Sequence, residues 1–402
     1  MPKVDLAHYL DREQAYVKHC LLEQYLPDLI YRVGRNWDAI VYIDGFAGPW
    51  QTTDPDYADS SFGVAIRALR ECQRGLQDTH DRQIKMKSIL VEADKSAFSA
   101  LKRFADAQNA ADFEVHALQG EFADSIPSIE KRVRSSVRNP FQFVFLDPKG
   151  WAQIPMRRLR PFLNNRSCEV LINLMTSHIV RFLGEPSRAD SYNELFGRDE
   201  VLNTLQQLPQ DDRMELAVQE YSTSLRVLCN FKYVSAAVIF KPATDGIAYF
   251  LVYGTNHPRG VEVFKAAELS AARIQDEVRQ ETHVRKTRQP GLLFDDAPPS
   301  SPRVMEIRKR YLARAQAAIL NLLWSQTKQQ RLLYEQVLCE AIAFPLVSPN
   351  DVVRWLNALK PDIGVQLMGT GRRKPNPLQH DEVIVINPQG LKKTGKARLQ
   401  KV

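Results

Sequence analysis

Ile40-Val41-Tyr42-Ile43-Asp44-Gly45-Phe46-Ala47-Gly48-Pro49 joins an apolar run to an acidic turn rich in small residues. The apolar run predicts a buried strand. The turn would let a ligand approach the backbone closely, and a helix after it would present free N–H groups. The stretch therefore predicts the first strand and the ligand-binding loop of an α/β sheet. The candidate ligand-binding residues in it are Asp44, Gly45, Phe46, Ala47 and Gly48.

Further apolar runs follow, separated by segments long enough for helices. They are Ile89–Val91, Phe113–Leu118, Phe143–Leu146 and Val170–Leu174. Continuous apolar strands alternating with helices predict a parallel sheet that is covered on both faces. Val234–Phe240 and Ala248–Tyr253 lie close together in sequence and favour a terminal hairpin. We therefore expect a Rossmann-like α/β sheet, although many doubly wound folds share its first half.

Composition divides the chain into a near-neutral part and a basic part. Residues 302–402 hold 17 Lys and Arg against 7 Asp and Glu, a balance of +10. Subtraction from 54 and 47 leaves 37 and 40 for residues 1–301, a balance of −3. This asymmetry favours a module facing a polyanion, the alternative being a solvated basic surface. Scattered cysteines and the lack of a signal or spanning segment predict a reduced cytoplasmic protein without a structural metal or a membrane contact.

The basic part is predicted to be a separate domain. Pro and Ser enrichment marks a linker at 286–302, between a first domain at 1–285 and a second at 303–390, with a basic tail at 391–402. Three helical segments at Val304–Gln326, Leu332–Phe344 and after Ser348-Pro349 precede two extended runs, Gly364–Met368 and Asp381–Ile386. That order is typical of a winged-helix-like domain.

Acidic residues follow several predicted strands. Glu92 could accept hydrogen bonds from ribose hydroxyls, or it could be solvated beside a helix cap at Asp94. Glu121 and Phe122 follow the third strand, where they could contact an adenine ring. Asp147 and Pro148 follow the fourth strand and could orient an acceptor amino group, although Asp147 could instead cap the next helix. Asp44 and Glu92 are 48 positions apart, which suggests a helix inserted near 62–75.

The sequence resembles the three-Cys-motif partner protein family (TcmP) over about residues 7–267. The matching strings are Lys18-His19, Tyr42–Pro49, Phe145–Trp151, Glu169–Asn173, Leu195–Gly197 and Tyr249–Tyr253. The resemblance implies a class I methyltransferase-like fold, S-adenosylmethionine as cofactor, and a radical-SAM-like protein with a three-cysteine motif as partner. C-terminal winged-helix modules are known in similar proteins. His19 would lie over the catalytic pocket, the alternative being a structural histidine on an amphipathic helix.

Three places depart from the family pattern at the predicted pocket, one of them being Asp59–Gly63, which replaces a Gly-Ser-Pro-like step. Trp50 stands where the family usually has glycine, and Lys149 stands where it tends to have an aromatic residue after Asp147-Pro148. Lysine cannot stack on a base as an aromatic ring does, but it could meet a phosphate. Three hypotheses therefore stay open: an S-adenosylmethionine-dependent methyltransferase acting on nucleic acid, a noncatalytic scaffold that binds nucleic acid or a partner, and a methyltransferase acting on a small molecule or a protein.

The basic domain carries the predicted nucleic-acid contacts. These are Arg354 in the third helix, Arg372, Arg373 and Lys374 in the hairpin, and Lys392 and Lys393 in the tail. Charge on a hairpin tip and a tail suits contact with phosphates better than reading of bases, and it does not separate DNA from RNA. The alternative is a protein-docking domain, whose binding would depend little on salt.

Overall fold

The computed structural model describes residues 5–48, 52–135, 139–244, 246–287, 302–326, 331–363, 366–368 and 383–387. The chain divides into two compact units, Met1–Ser300 and Ser301–Val402. No helix within the described ranges combines the length and the apolar character needed to cross a bilayer.

Seven strands form one sheet in the described part of the first unit. They are β1 Ala39–Asp44, β2 Lys85–Glu92, β3 Phe113–Gln119, β4 Phe141–Leu146, β5 Cys168–Leu174, β6 Tyr233–Phe240 and β7 Ile247–Thr255. Their order is β3-β2-β1-β4-β5-β7-β6, and β1 to β5 are parallel. β7 runs antiparallel between β5 and β6. The fold is therefore a Rossmann-like sheet of the class I methyltransferase type.

Helices cover both faces of this sheet. They are α1 Glu13–Val33, α2 Ser61–His80, α3 Lys95–Ala107, α4 Phe122–Arg134, α5 Met156–Leu163, α6 Thr176–Arg181, α7 Ala189–Phe196, α8 Val201–Gln207, α9 Gln210–Cys229 and α10 Pro258–Thr287. The helices α1, α2, α3 and α10 contribute to one apolar core, while α9 packs on α5 and α6. Because both faces are covered, every residue of β1, β4 and β5 is buried, as the apolar runs predict.

The order of the strands fixes where a ligand can bind. The chain moves outward from β1 through β2 to β3, and then returns to pair β4 on the other side of β1. Loops leaving β1 and β4 therefore turn to opposite faces and leave a crevice at the carboxyl ends of these strands. The predicted helix near 62–75 is α2, and it accounts for the long β1–β2 connection.

Two boundaries differ from the sequence prediction. A 3-10 helix at Leu6–Tyr9 precedes α1, because Asp11 adopts a left-handed φ of 63° and ends the first helical segment. α10 continues to Thr287, and the first helix of the second unit begins at Pro302, so both enter the segment predicted as a linker at 286–302.

The second unit contains α11 Pro302–Ser325, β8 Arg331–Leu333, α12 Tyr334–Ile342, α13 Pro349–Ile363, β9 Gln366–Met368 and β10 Val383–Val385. The three strands form an antiparallel sheet in the order β8-β10-β9. β8 was predicted as part of a helix, because its three residues are too few to show a strand pattern. The predicted cap of α13 is present: the Ser348 hydroxyl donates to Asp351 (2.7 Å) and accepts from the Asp351 N–H (3.3 Å).

Candidate active site

The loop after β1 is fixed to both neighbouring strands. The Gly45 N–H donates to the Phe145 carbonyl (3.0 Å), and the Ala47 N–H donates to the Val91 carbonyl (2.8 Å). A Cβ on Gly45 would lie 2.6 Å from a Leu146 methyl carbon and 2.8 Å from the Phe122 ring. Only glycine therefore fits at this position. The loop stays close to the ends of the neighbouring strands, at the edge of the sheet.

Asp44 organises this loop from beneath. It is fully buried, and its carboxylate accepts hydrogen bonds from the Ser61 hydroxyl (2.7 Å), the Phe46 N–H (3.1 Å) and the Tyr42 hydroxyl (3.2 Å). Ser61 begins α2, so Asp44 ties the loop to the start of that helix. The side chain does not line the adjoining cavity. Asp44 therefore supports the loop from below, and its predicted contact with a cofactor stays a prediction.

Burial gives Asp44 a measurable effect on stability. It raises the pKa of the carboxyl from 3.8 to about 6, although hydrogen bonds from Ser61, Phe46 and Tyr42 oppose it. A raised native pKa means that ionisation of Asp44 progressively lowers the free energy of unfolding as pH rises through this window, by about 3 kcal/mol in full. The substitution Asp44→Asn removes this titration.

We therefore expect Asp44→Asn to gain stability relative to the wild type between pH 5 and pH 8, by roughly 1–2 kcal/mol. Urea unfolding of both proteins at the two pH values measures the change. Ser99→Ala, on the exposed side of α3, is the control and should show a constant difference. A constant difference for Asp44→Asn as well would mean that Asp44 does not titrate in this range.

A cavity of about 490 Å³ lies at the carboxyl ends of the parallel strands. Its walls include the residues predicted from the sequence to bind cofactor or to act in catalysis, with the exception of Asp44 and Ala47. The lining members of that set are Gly45, Phe46, Gly48, Glu92, Glu121, Phe122, Asp147, Pro148, Lys149 and His19. Residues from four different strand ends and from α1 thus meet around one space.

Glu92 and Asp94 perform different tasks at the end of β2. The Asp94 carboxylate accepts from the Ala97 N–H (2.8 Å) and caps α3. Glu92 is buried, and one of its carboxylate oxygens accepts from the Asp94 N–H (2.6 Å). The alternative of a solvated Glu92 is therefore wrong. Among described residues its second oxygen has no hydrogen-bond partner, and the side chain lines the cavity.

The two residues after β3 differ in position: Glu121 lies at the rim of the cavity and Phe122 in its wall. Glu121 is exposed, and although it precedes α4 its side chain caps no N–H of that helix. Phe122 is only 1% exposed, and its ring contacts Phe46 (5.9 Å between centroids) and Phe162 (6.0 Å). The ring is therefore packed into the core beside Gly45, while Phe122 also borders the cavity.

Asp147 sits at the centre of a polar cluster. One carboxylate oxygen forms an ion pair with the Lys18 ammonium, and the other accepts from the Asn173 amide (2.6 Å). Lys18 comes from α1 and Asn173 from the end of β5. The 3-10 helix that follows, Trp151–Gln153, has no side-chain cap. The alternative that Asp147 caps this helix is therefore wrong.

Two buried oxygens at the cavity have no partner among the described residues. One is the Asn173 Oδ1, and the other is the Asp59 Oδ1. The second Asp59 oxygen is engaged by Arg12 and by the Thr53 N–H (2.9 Å). An unpaired buried acceptor costs roughly 1–3 kcal/mol. Both residues line the cavity, so a ligand with donor groups could satisfy them.

His19 and Lys149, both predicted to act in catalysis, have different surroundings at the cavity. The His19 Nδ1 is 2.8 Å from the Tyr9 hydroxyl, and burial, with help from Lys18 and Arg12, holds the imidazole pKa well below its usual value. His19 is therefore neutral and tied to Tyr9 while it lines the cavity. Lys149 is exposed at the rim, and its backbone N–H donates to the Gln153 side chain (3.0 Å).

Sequence reasoning missed the partners of Asp147. Lys18 was noted with His19 as a family pair that could lie over the pocket, and Asn173 as part of an apolar run and a family string, but neither was paired with Asp147. The available signal was Asn173 itself, because a polar residue ends β5 as Asp147 follows β4. Arg12, which also lines the cavity, had no such signal, while Asp59 and Tyr249 were noted only in comparison with the family pattern.

Several predicted residues lie elsewhere. Arg354 belongs to α13 of the second unit, where its side chain is 73% exposed and pairs with Asp351. Pro49 and Trp50 fall outside the described residues, as do Arg372, Arg373, Lys374, Lys392 and Lys393. The effect of Trp50 on the cavity therefore stays a prediction.

A larger cavity, of about 810 Å³, opens at the opposite edge of the sheet. It is lined by residues at or before strand starts, such as Trp37, Phe141 and Cys168, and by none of the predicted site residues. In doubly wound sheets ligands bind at the carboxyl ends of the strands. The smaller cavity is therefore the better candidate for an active site.

Comparison with known proteins adds little to this geometry. No protein-family model matches the chain, and no curated protein matches it. Two solved structures are similar to it: an O-methyltransferase from Bacillus cereus in complex with SAH (15% identity, 58% of this chain and 80% of that chain, TM-score 0.30), and a loganic acid methyltransferase with SAH (8% identity, 71% and 92%, TM-score 0.28). At these low scores neither likeness carries weight, and the fold assignment rests on strand order and direction.

Proposed function

We propose that this protein is an S-adenosylmethionine-dependent methyltransferase that acts on nucleic acid. The observation that carries the proposal is the cavity at the carboxyl ends of the parallel strands, where a glycine loop, Glu92 and Asp147 meet. In this arrangement one end of the cavity suits a nucleoside and the other end presents polar groups to an acceptor.

The residues present fit the cofactor. Glu92, with one unengaged carboxylate oxygen, would accept hydrogen bonds from ribose hydroxyls. The exposed Glu121 would face the adenine amino group, and the loop at Gly45–Gly48 leaves backbone close to the ligand. The unpaired oxygen of Asp59 would accept from the ammonium of the amino-acid end. When bound, this cofactor supplies an electrophilic methyl group.

At the acceptor end the chain has to orient a nucleophile and exclude water. The ion pair of Lys18 with Asp147, and the Asn173 amide, fix three polar groups in one place. Lys18 and Asn173 are both buried, so these groups are held in a setting of low water content. Orientation of this kind can lower a barrier by several kcal/mol without a strong base.

The second unit supports nucleic acid as the substrate class. Its helix order and three-stranded sheet fit a winged-helix-like domain, in which the third helix enters the major groove. On α13, Asn350 and Arg354 are exposed and Asn357 is half-buried, and their spacing places all three on one helical face. The basic residues of the hairpin and tail would add phosphate contacts.

Transfer of a tritiated methyl group from S-adenosylmethionine tests the proposal. The full chain is incubated with pools of random-sequence RNA, random-sequence DNA and mixed proteins, and the acid-insoluble label is counted. We expect label in nucleic acid only. A cofactor that binds without any transfer would favour the scaffold hypothesis, and label in protein would overturn the substrate class. A three-cysteine-motif partner stays a prediction from the family resemblance.

Binding of nucleic acid should depend steeply on salt. If the second unit neutralises about four phosphates, the affinity for a random duplex should fall by about 100-fold between 50 and 200 mM KCl. Fluorescence anisotropy with a labelled duplex of 20 base pairs measures this slope. A double variant that replaces Arg372 and Arg373 with glutamine should make this slope less steep, by the amount expected for the loss of about two phosphate contacts. An affinity that is insensitive to salt would indicate a protein-docking domain instead.

A further inference from the structure

We propose that the methyl acceptor is a hydroxyl oxygen, which along a nucleic acid chain means the ribose 2′-hydroxyl of RNA. The inference rests on the proposed methyl transfer and names the atom that receives the group. It differs from the sequence-based expectation of an amino group, and it follows from the hydrogen-bonding capacity left open around Asp147.

Asp147 is already engaged on both carboxylate oxygens. Lys18 pairs with one oxygen, and the Asn173 amide donates to the other. An exocyclic amino group needs an acceptor in order to be aligned, because its two N–H bonds donate and its lone pair is delocalised into the base. The two protein donors leave Asp147 about half of its roughly four lone-pair sites, so the choice of acceptor is decided by Lys18 and Asn173, which lie beside it.

Lys18 adds a donor where an amino group would need an acceptor. An ammonium carries three N–H bonds and accepts none, and the pair with Asp147 uses one of them. The ammonium also lies 5.9 Å from the centre of the Tyr249 ring, which holds the cation at the cavity wall. Lys18 can therefore bind an atom that offers a lone pair.

Asn173 supplies the complementary acceptor. Its Oδ1 is buried without a partner among the described residues, while its NH₂ group is fixed by Asp147. The contact with the carboxylate also fixes the orientation of the amide, because a flipped amide would place oxygen against oxygen. A hydroxyl both accepts and donates, so it matches the Lys18 ammonium and the Asn173 oxygen together. A ring nitrogen would satisfy only the ammonium.

The transfer step balances with these residues alone. The acceptor oxygen forms a bond to the methyl carbon while the carbon–sulfur bond of the sulfonium breaks and leaves a neutral thioether. As the carbon–oxygen bond forms, the hydroxyl proton moves from its hydrogen bond with the Asn173 oxygen to a free lone pair of the Asp147 carboxylate, and then to water. Lys18 offsets negative charge on the oxygen as that proton leaves. Asp147 is 22% exposed, which gives the proton a route to solvent.

The chemical stability of the product tests the inference. Random-sequence RNA labelled by the full chain and tritiated S-adenosylmethionine is hydrolysed in alkali, which needs a free 2′-hydroxyl to cleave the chain. We expect the label in alkali-stable dinucleotides and none in matched DNA. Label in mononucleotides, or equal label in DNA, would overturn the hydroxyl acceptor while leaving nucleic-acid methylation intact. Absence of transfer to RNA by a protein that binds the cofactor would also overturn it.

Variants of Lys18 test its role independently. We expect Lys18→Met to lower kcat at least 100-fold with the affinity for S-adenosylhomocysteine changed less than threefold, and Lys18→Arg to recover part of that loss. Lys102→Met, on the exposed side of α3, is the matched control and should leave kcat unchanged. Full activity of Lys18→Met would overturn the inference. If the wild-type protein does not bind S-adenosylhomocysteine, the proposed function itself is overturned.

Discussion

Replacing Asp147 with alanine should lower methyl transfer by about 10²–10⁴-fold and also reduce the free energy of unfolding by roughly 3 kcal/mol. Turnover falls because the acceptor loses the group that receives its proton. Stability falls because the Lys18 ammonium, whose side chain is only 8% exposed, loses its counter-charge. Initial rates of label transfer and urea unfolding measure the two effects on the same preparation.

The double variant Lys18→Met with Asp147→Ala separates these effects. Removing both charges leaves no buried ion, so most of the lost stability should return while turnover stays low. Arg134→Ala is the control, because its exposed pair with Glu130 should contribute less than about 1 kcal/mol. Additive losses of stability in the double variant would show that Lys18 and Asp147 do not interact, which contradicts the cluster described here.

Replacing Glu92 with alanine should weaken binding of S-adenosylhomocysteine by about 10–150-fold. Hydrogen bonds from two hydroxyls to a charged acceptor contribute about 1.5–3 kcal/mol in a buried site. The backbone should change little, because the Asp94 carboxylate still caps α3. Isothermal titration calorimetry of the variant against the wild type measures the change in affinity.

Two controls make the Glu92 result specific. Glu130→Ala removes an exposed carboxylate on α4, away from the cavity, and should leave the affinity unchanged. Methylation of the ribose hydroxyls on the ligand should abolish the difference between wild type and Glu92→Ala. An unchanged affinity in Glu92→Ala would mean that the nucleoside does not lie at the end of β2.

The central strands of the sheet could be predicted because they are buried on both faces. β1, β4 and β5 are buried on both faces, so each contains a run of apolar residues, and each was identified from that run. The hairpin of β6 and β7 was also confirmed. β8 could not be identified, because three residues between two helices carry no periodicity.

The candidate site was predictable only where residues follow strands. Glu92 and Asp147 were identified because the carboxyl ends of neighbouring parallel strands meet at one edge of the sheet. Lys18 was not paired with Asp147, since 129 residues separate them and only the packing of α1 over the sheet brings them together. Phe122 looked like a stacking ring, but the close packing at Gly45 buries it.

Calorimetric titration of the wild-type chain with S-adenosylhomocysteine tests the central claim most directly. We predict one molecule bound per chain with a Kd in the micromolar range, and competition by S-adenosylmethionine at the same site. Absence of binding heat at several temperatures, together with unchanged thermal unfolding at millimolar ligand, would show that the cavity at the carboxyl ends of the strands does not hold this cofactor.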